Sequence, residues 1–122
     1  MRKILIFLML TVAVSAGAQV KALLGEWKTV DDKTGEKRSV VTIYKGSDGL
    51  YYGKITKMLV GKPGDVCTEC VDADHNAPFE GLVIIRRMEY NPEKKQLENG
   101  RVLDPESGKF YYGKIYTKDE PL

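Results

Sequence analysis

The sequence predicts an all-β domain after an N-terminal signal helix: an antiparallel meander that forms a strongly curved sheet or partial barrel. Short segments rich in β-branched and aromatic residues alternate with clusters of Gly, Asp and Ser, a pattern typical of strands and tight turns. The segment of residues 51–55, Tyr-Tyr-Gly-Lys-Ile, recurs at residues 111–115, and each copy follows a glycine turn. A mid-strand glycine often marks a bend, so two such strands predict a curved sheet.

Residues 1–18 have the pattern of a cleavable export signal. Arg2 and Lys3 precede an apolar run over residues 4–14, and small residues at 15–18 offer a cleavage site after Ala18. The run is shorter than the roughly 20 residues that a membrane-spanning helix needs, which leaves an uncleaved anchor as the minor alternative. We therefore expect export to the periplasm, with secretion as the alternative.

The remaining segment, residues 19–122, is predicted to be a single β-domain. Without Arg2 and Lys3 the 19 basic residues become 17, which equals the 17 acidic residues. This balance gives no reason to expect a nucleic-acid partner. We expect no transmembrane segment here, because no second apolar stretch is long enough.

Six strands are predicted, and a strong turn at residues 46–49 makes the second and third a hairpin. One or two helical turns at residues 19–24 should precede them, and a long loop at residues 61–81 should separate the third and fourth. The predicted strands are Gly25–Val30, Ser39–Lys45, Leu50–Val60, Leu82–Tyr90, Gln96–Asp104 and Phe110–Thr117.

Cys67 and Cys70 are the most specific local feature of the long loop. In an exported protein such a pair is usually oxidised, and we expect a structural disulfide. A zinc site with His75 and one of Asp72 or Asp74 is a weaker alternative, because the spacing matches no strong zinc pattern. A redox role is weaker still, since no helix begins after the pair to stabilise a thiolate.

Tyr51, Ile55, Tyr111 and Ile115 fall on one face of their strands by the period of two. Packing in the core is the favoured interpretation, and lining a ligand cavity is the alternative. Alternation along the fourth strand places Arg86 on the inward face, where it could meet an anionic head group. A bulge, or a side chain that extends to the rim, is the favoured interpretation of Arg86.

The sequence gives little support for an enzyme. His75 is the one histidine of the chain, it lies in a polar loop, and no phosphate-binding glycine loop is present. We therefore predict a non-enzymatic protein without a cofactor.

Short motifs follow one another in a fixed order along the chain: Gly25-Glu26-Trp27, residues 31–35, 39–41 and 52–55, Cys67-x-x-Cys70, Pro78-x-x-Gly81-Leu82, and residues 100–109. This ordered set resembles a bacterial family of exported proteins, domain of unknown function family 2147. Members of that family look as though they continue with further strands, so the resemblance implies that C-terminal strands are missing here, either in a short variant or through a truncated gene. If the gene is truncated, the last strand becomes an exposed edge.

A looser likeness is to lipocalin-type barrels. The short helical turn that leads into Gly25-Glu26-Trp27 is similar to their opening strand, where the tryptophan closes one barrel end. Trp27 therefore joins the candidate ligand-binding residues. The leading functional hypothesis is binding of a small apolar or amphipathic ligand inside the curved sheet. The alternative is a structural or protein-interaction module of the cell envelope that uses the Cys67–Cys70 loop as its contact surface.

Overall fold

The computed structural model describes residues 20–117, which form one antiparallel sheet of six strands in sequential order. The sheet curls into a half-barrel, so the all-β curved meander is confirmed. The predicted signal segment, its predicted cleavage site and residues 118–122 lie outside the described residues. The strands are β1 (Gly25–Val30), β2 (Lys37–Lys45), β3 (Tyr51–Met58), β4 (Val83–Asn91), β5 (Gln96–Asp104) and β6 (Lys109–Ile115).

All six predicted strands are present, and their ends differ from the predicted ones by only a few residues. The β2–β3 hairpin closes through the Gly46 N–H, which donates to the Leu50 carbonyl at 2.7 Å. Gly49 supplies the positive φ of +84° in this turn, a conformation that glycine adopts without steric cost. Before β1, the Leu23 N–H donates to the Val20 carbonyl at 3.0 Å, which closes one helical turn.

Glycines and register shifts bend the sheet where flat strands would not curl. The pairing of β3 with β4 shifts register twice around Gly53, and a Cβ on Gly53 would meet the Ile85 side chain at 2.7 Å. A Cβ on Gly100 in β5 would collide with the Arg86 carbonyl of β4. Such close approaches and bulges increase local twist and bend the strand, as the mid-strand glycine of β3 predicted.

The core consists of apolar side chains on the inner face, where cross-strand partners share a side of the sheet. Trp27 of β1 pairs with Val41 of β2, which in turn pairs with Ile55 of β3. Leu23 from the helical turn is buried in the same cluster. The least exposed large side chains of the core are Ile55, Met88, Leu97 and Leu103.

The long loop between β3 and β4 folds over one end of the sheet. It contains the Cys67–Cys70 disulfide and a short 3-10 turn over Asp72–Asp74. Gly81 N–H donates to the Ile55 carbonyl at 2.6 Å, which ties the end of the loop back to β3. Within residues 20–117 no helix has the length and apolar character required to cross a bilayer.

Candidate ligand-binding cleft

The concave face of the sheet holds a cleft of about 380 Å³. This volume lies within the usual range for small-molecule sites, and most of the wall is apolar, as such sites require. Strands β1, β2, β4, β5 and β6 all contribute, so the curl of the sheet creates the cleft. Its apolar wall is Leu23, Trp27, Val41, Ile43, Ile84, Ile85, Val102 and Ile115, joined by Thr29, Lys114, Tyr116 and Thr117.

Trp27 is the most distinctive wall residue because a large part of its ring stays open, with 41% of the residue exposed. Its indole N–H donates to the Leu23 carbonyl at 3.0 Å, so the single polar group of the side chain is satisfied. The remaining surface is an apolar ring face held in place by that hydrogen bond. A fixed, exposed aromatic face at the edge of an apolar cleft suits contact with a hydrophobic ligand.

A second cavity, here called the mouth, adjoins the apolar cleft and has both apolar and charged residues in its wall. The two cavities share Thr29 and Ile84. The mouth has a volume of about 820 Å³ and lies at the end of the sheet where the β1–β2 turn, the β3–β4 loop and the β5–β6 turn meet. Its charged lining residues are Asp31, Asp32, Lys33, Arg38, Asp65, Asp104 and Glu106.

Local hydrogen bonds organise the charges of the mouth. The backbone N–H groups of Lys33 and Thr34 donate to the Asp31 carboxylate at 2.8 and 3.2 Å, and they hold the pKa of Asp31 below its ordinary value. The Arg38 guanidinium is paired with the Glu36 carboxylate at 3.1 Å and also with Glu106. The one arginine of the mouth is therefore already neutralised by two carboxylates.

A hydroxyl pair marks the boundary between the apolar cleft and the mouth. Thr29 Oγ1 and Ser39 Oγ lie 2.6 Å apart, across the β1–β2 pairing. Ser39 is 6% exposed, whereas Thr29 is half-buried and faces both cavities. The pair places hydrogen-bonding groups where charged side chains join the apolar wall.

Comparison with known proteins identifies the family and the fold. The family model for uncharacterized proteins conserved in bacteria (DUF2147) matches residues 25–122. The chain belongs to this family. No curated protein matches it significantly.

Among solved structures, the chain is similar to protein HP1028 from the human pathogen Helicobacter pylori, which belongs to the lipocalin family. The TM-score is 0.64 at 17% sequence identity, and the likeness covers 80% of this chain and 65% of that one. This chain thus spans about 65% of the length of HP1028. At that identity the likeness shows a lipocalin-like fold, in agreement with the likeness noted from Gly25-Glu26-Trp27.

The structure brings Trp27 and Ile115 together in the cleft and places Ile55 in the wall of the mouth. Tyr51 is buried in the core outside both cavities. Tyr111 pairs with Val102, yet it is 53% exposed and outside the cleft wall. The four residues that share a parity in the sequence therefore divide among core, mouth, cleft and surface.

Arg86 lies outside the cleft, contrary to the inward placement that simple alternation gives. Its Nη2 donates to Asp74 Oδ2 at 3.0 Å, and its Nε donates to the Val83 carbonyl at 2.8 Å. The alternation of β4 is irregular because Arg87 has a positive φ of +56° and Ile84 and Ile85 are both buried. Arg86 thus anchors the long loop to β4 and is not placed to meet a ligand head group in the cleft.

The disulfide removes both thiolates from the alternative zinc site. Cys67 and Cys70 are bonded and buried, and His75 Nδ1 lies 3.0 Å from the Cys70 carbonyl oxygen. Among residues 20–117, no group of three or more His, Cys, Asp or Glu is arranged to hold a metal ion. The disulfide loop instead packs on the β5–β6 turn, where the Glu69 carbonyl occupies the position that a Cβ on Gly108 would need.

Several residues of the cleft wall were not among the candidates predicted from the sequence. Val41 and Ile43 share a parity in β2, which was a sufficient signal to place them inside with Trp27. The places of Val102 and Thr29 in the wall could be predicted only with the strand register, because they depend on which residues lie across from them. The acidic mouth could be predicted only with the topology, because its residues come from the β1–β2 turn, the β3–β4 loop and the β5–β6 turn.

Proposed function

We propose that this protein binds a small apolar or amphipathic ligand in the cleft of its curled sheet. The observation that carries the proposal is the apolar cleft with the fixed, exposed ring of Trp27 at its edge. An exposed aromatic group in a largely apolar concavity is costly to leave in water, and a ligand of matching character removes that cost. The lipocalin-like fold supports the proposal, because such folds typically hold one small hydrophobic ligand.

We also propose that the protein acts outside the cytoplasm, in the periplasm, after cleavage behind Ala18. The support is the charged, apolar and small-residue pattern of residues 1–18. Mass spectrometry of the protein from cell fractions tests this proposal. A periplasmic form that begins at Gln19 is the expected result, and an intact N-terminus in the cytoplasmic fraction contradicts it.

Energy transfer tests the binding proposal, because Trp27 is the sole tryptophan of the chain. We expect an uncharged naphthylamine probe to quench the Trp27 emission and to gain fluorescence in a saturable way. Ile115→Ser should weaken binding about tenfold by removing apolar contact. Tyr112→Ser on the same strand is the matched control, since Tyr112 is 88% exposed and outside the cleft wall. Equal affinities in the two variants would contradict the proposed site.

A protein-interaction role through the Cys67–Cys70 loop is the second candidate function. It is favoured by Val71, an apolar residue that is exposed directly after the disulfide. Crosslinking in cell envelopes with Val71→Ser compared with the wild type tests this role. Loss of a crosslinked partner in the variant supports it, and an unchanged pattern contradicts it.

A further inference from the structure

We propose that the ligand is an amphiphile with a cationic, amine-type head group, whose tail lies in the apolar cleft and whose head lies in the mouth. This inference rests on the proposed function and adds the chemical class of the ligand. It follows from the position of the mouth relative to the cleft and from the charges that surround it.

The geometry sets where a head group would lie. The two cavities share Thr29 and Ile84 in their walls, so we place the end of an alkyl chain that lies along the apolar wall at this boundary. There the Thr29–Ser39 hydroxyl pair offers hydrogen bonds to a polar group. Beyond the pair the wall also carries charged side chains, so a head group can stay hydrated while the tail is buried.

The charge of the mouth selects the sign of the head group. Five carboxylates line it, from Asp31, Asp32, Asp65, Asp104 and Glu106, against the two cations Lys33 and Arg38. Glu36 and Glu106 already pair with the Arg38 guanidinium. An anionic head group would therefore meet uncompensated like charge, whereas an ammonium would meet complementary charge.

The carboxylates are held in place before any ligand arrives. Asp65 Oδ2 accepts from the Lys62 N–H at 2.8 Å, and the Asp104 carboxylate accepts from the Glu106 N–H and the Ser107 hydroxyl, both at 3.0 Å. These hydrogen bonds fix the positions of the Asp65 and Asp104 carboxylates. Fixed acceptors lower the ordering cost of binding a donor-rich ammonium group.

Among the described residues, Lys114 is the one charged residue in the wall of the apolar cleft. It offers an anionic head group an alternative site to the mouth. Its charge acts on the Glu98 carboxylate, whose pKa is lowered first by the Gln96 side chain, then by Asn91, and to a smaller extent by Lys94 and Lys114. An anionic head group that stays in the apolar cleft would meet Lys114. Preference for an anionic amphiphile would therefore overturn the inference while leaving the cleft intact.

The test compares three amphiphiles with the same twelve-carbon chain, below their micelle concentrations, by displacement of the uncharged naphthylamine probe. We expect dodecylamine to bind about tenfold more tightly than dodecanoate at low salt, with dodecanol between them and the difference shrinking at high salt. Equal affinities, or tighter dodecanoate binding, would contradict the cationic head group. Failure of the probe and of all three amphiphiles to bind would instead contradict the proposed function itself.

A charge reversal locates the head group. Asp32→Lys should reduce or abolish the preference for dodecylamine, because it adds a cation to the mouth. Glu93→Lys is the matched control, since it makes the same charge change at an exposed residue of the β4–β5 turn, outside the lining of the mouth. If the two variants shift the preference equally, the head group does not lie in the mouth and the proposal fails.

Discussion

At the scale of single residues, individual hydrogen bonds set the orientation of aromatic and acidic side chains. Trp27 keeps its ring oriented through the Leu23 carbonyl, and Asp48 in the β2–β3 turn accepts from the Tyr52 hydroxyl. The first bond orients a surface that faces the cleft. The second fixes a turn at a distance from it.

We expect Trp27→Ala to weaken binding of the uncharged probe about tenfold, because the variant removes the open aromatic face. Trp27→Phe should keep affinity within about threefold, since a ring remains but the hydrogen bond to Leu23 is lost. Titration by the fluorescence of the directly excited probe measures both. Unchanged affinity in Trp27→Ala would remove Trp27 from the site.

The Asp48–Tyr52 hydrogen bond makes the stability of the fold depend on pH. Donation to the Asp48 carboxylate raises the pKa of Tyr52 above its ordinary value, and the same bond lowers the pKa of Asp48. Asp48 thus stabilises the fold above its unfolded pKa, and that contribution is lost as the pH falls through the folded pKa. For Tyr52 the contribution is present below pH 10 and is lost as the pH rises through its higher folded pKa.

Ultraviolet titration of the wild type minus Tyr52→Phe isolates this tyrosine from the others. We expect its midpoint to lie above that of free tyrosine and to fall in Asp48→Asn, in which no carboxylate accepts the bond. A midpoint that does not move in Asp48→Asn would show that the bond is not formed in solution.

At the scale of elements, the bends of β3, β4 and β5 decide which side chains reach the cleft. The Tyr-Tyr-Gly-Lys-Ile repeat predicted a bend at Gly53, and the Ile85 side chain lies against that glycine. The irregularity of β4 was not predictable from alternation, because Arg87 adopts a left-handed conformation that is uncommon for arginine. Arg87 lies where β4 and β5 approach closely at Gly100, a long-range contact that local sequence does not encode.

Gly100→Ala should destabilise the protein by about 2–3 kcal/mol, since the added methyl group meets the backbone of Arg86 and Arg87. Gly113→Ala is the matched control, with an expected cost of about 1 kcal/mol or less, because its nearest neighbour is a Val102 side-chain atom at 3.0 Å. Urea unfolding measures both. Equal costs would show that β4 and β5 are not in close contact at this point.

The disulfide belongs to the same scale, because the loop segment that it closes packs against the β5–β6 turn. Cys67 packs against Pro105, with Sγ 3.3 Å from the Pro105 carbonyl oxygen. The ring closed by the bond is small, so its entropic contribution is about 2 kcal/mol. The sequence predicted the bond from compartment chemistry, but it contained no sign that the loop would pack on this turn.

Replacing both cysteines with alanine should lower the free energy of unfolding by about 2–4 kcal/mol, through the lost crosslink and the lost packing of two buried side chains. Binding of the uncharged probe to the folded variant should change less than threefold, because neither cysteine lines the cleft. Urea unfolding and probe titration measure the two quantities. Large loss of binding in a folded variant would show that the loop shapes the cleft.

At the scale of the whole molecule, the half-barrel separates an apolar cleft from an acidic mouth. Composition could not reveal this polarity, because the 17 basic and 17 acidic residues after position 18 balance. The sequence predicted the fold class and the strand order well, since both follow from local alternation and turns. The site could not be predicted without the strand register, which brings Trp27 of β1 and Ile115 of β6 to one cleft.

Within the described residues, β6 is the last strand of the sheet. Among residues 20–117, β6 pairs with β5 alone. Its inner residue Ile115 lines the cleft, while Tyr112 faces outward. The same strand therefore provides both a site residue and the best external control for it.

We expect an alkyl chain to occupy the concave face of the sheet. Methyl-resolved NMR of the protein with dodecylamine tests this position through nuclear Overhauser contacts between the alkyl-chain protons and assigned methyl groups. We expect contacts to Ile43, Val102 and Ile115, which share the cleft wall. Contacts confined to Leu59 and Val71, exposed residues outside that wall, would contradict the account, as would no contact under conditions in which the amphiphile binds.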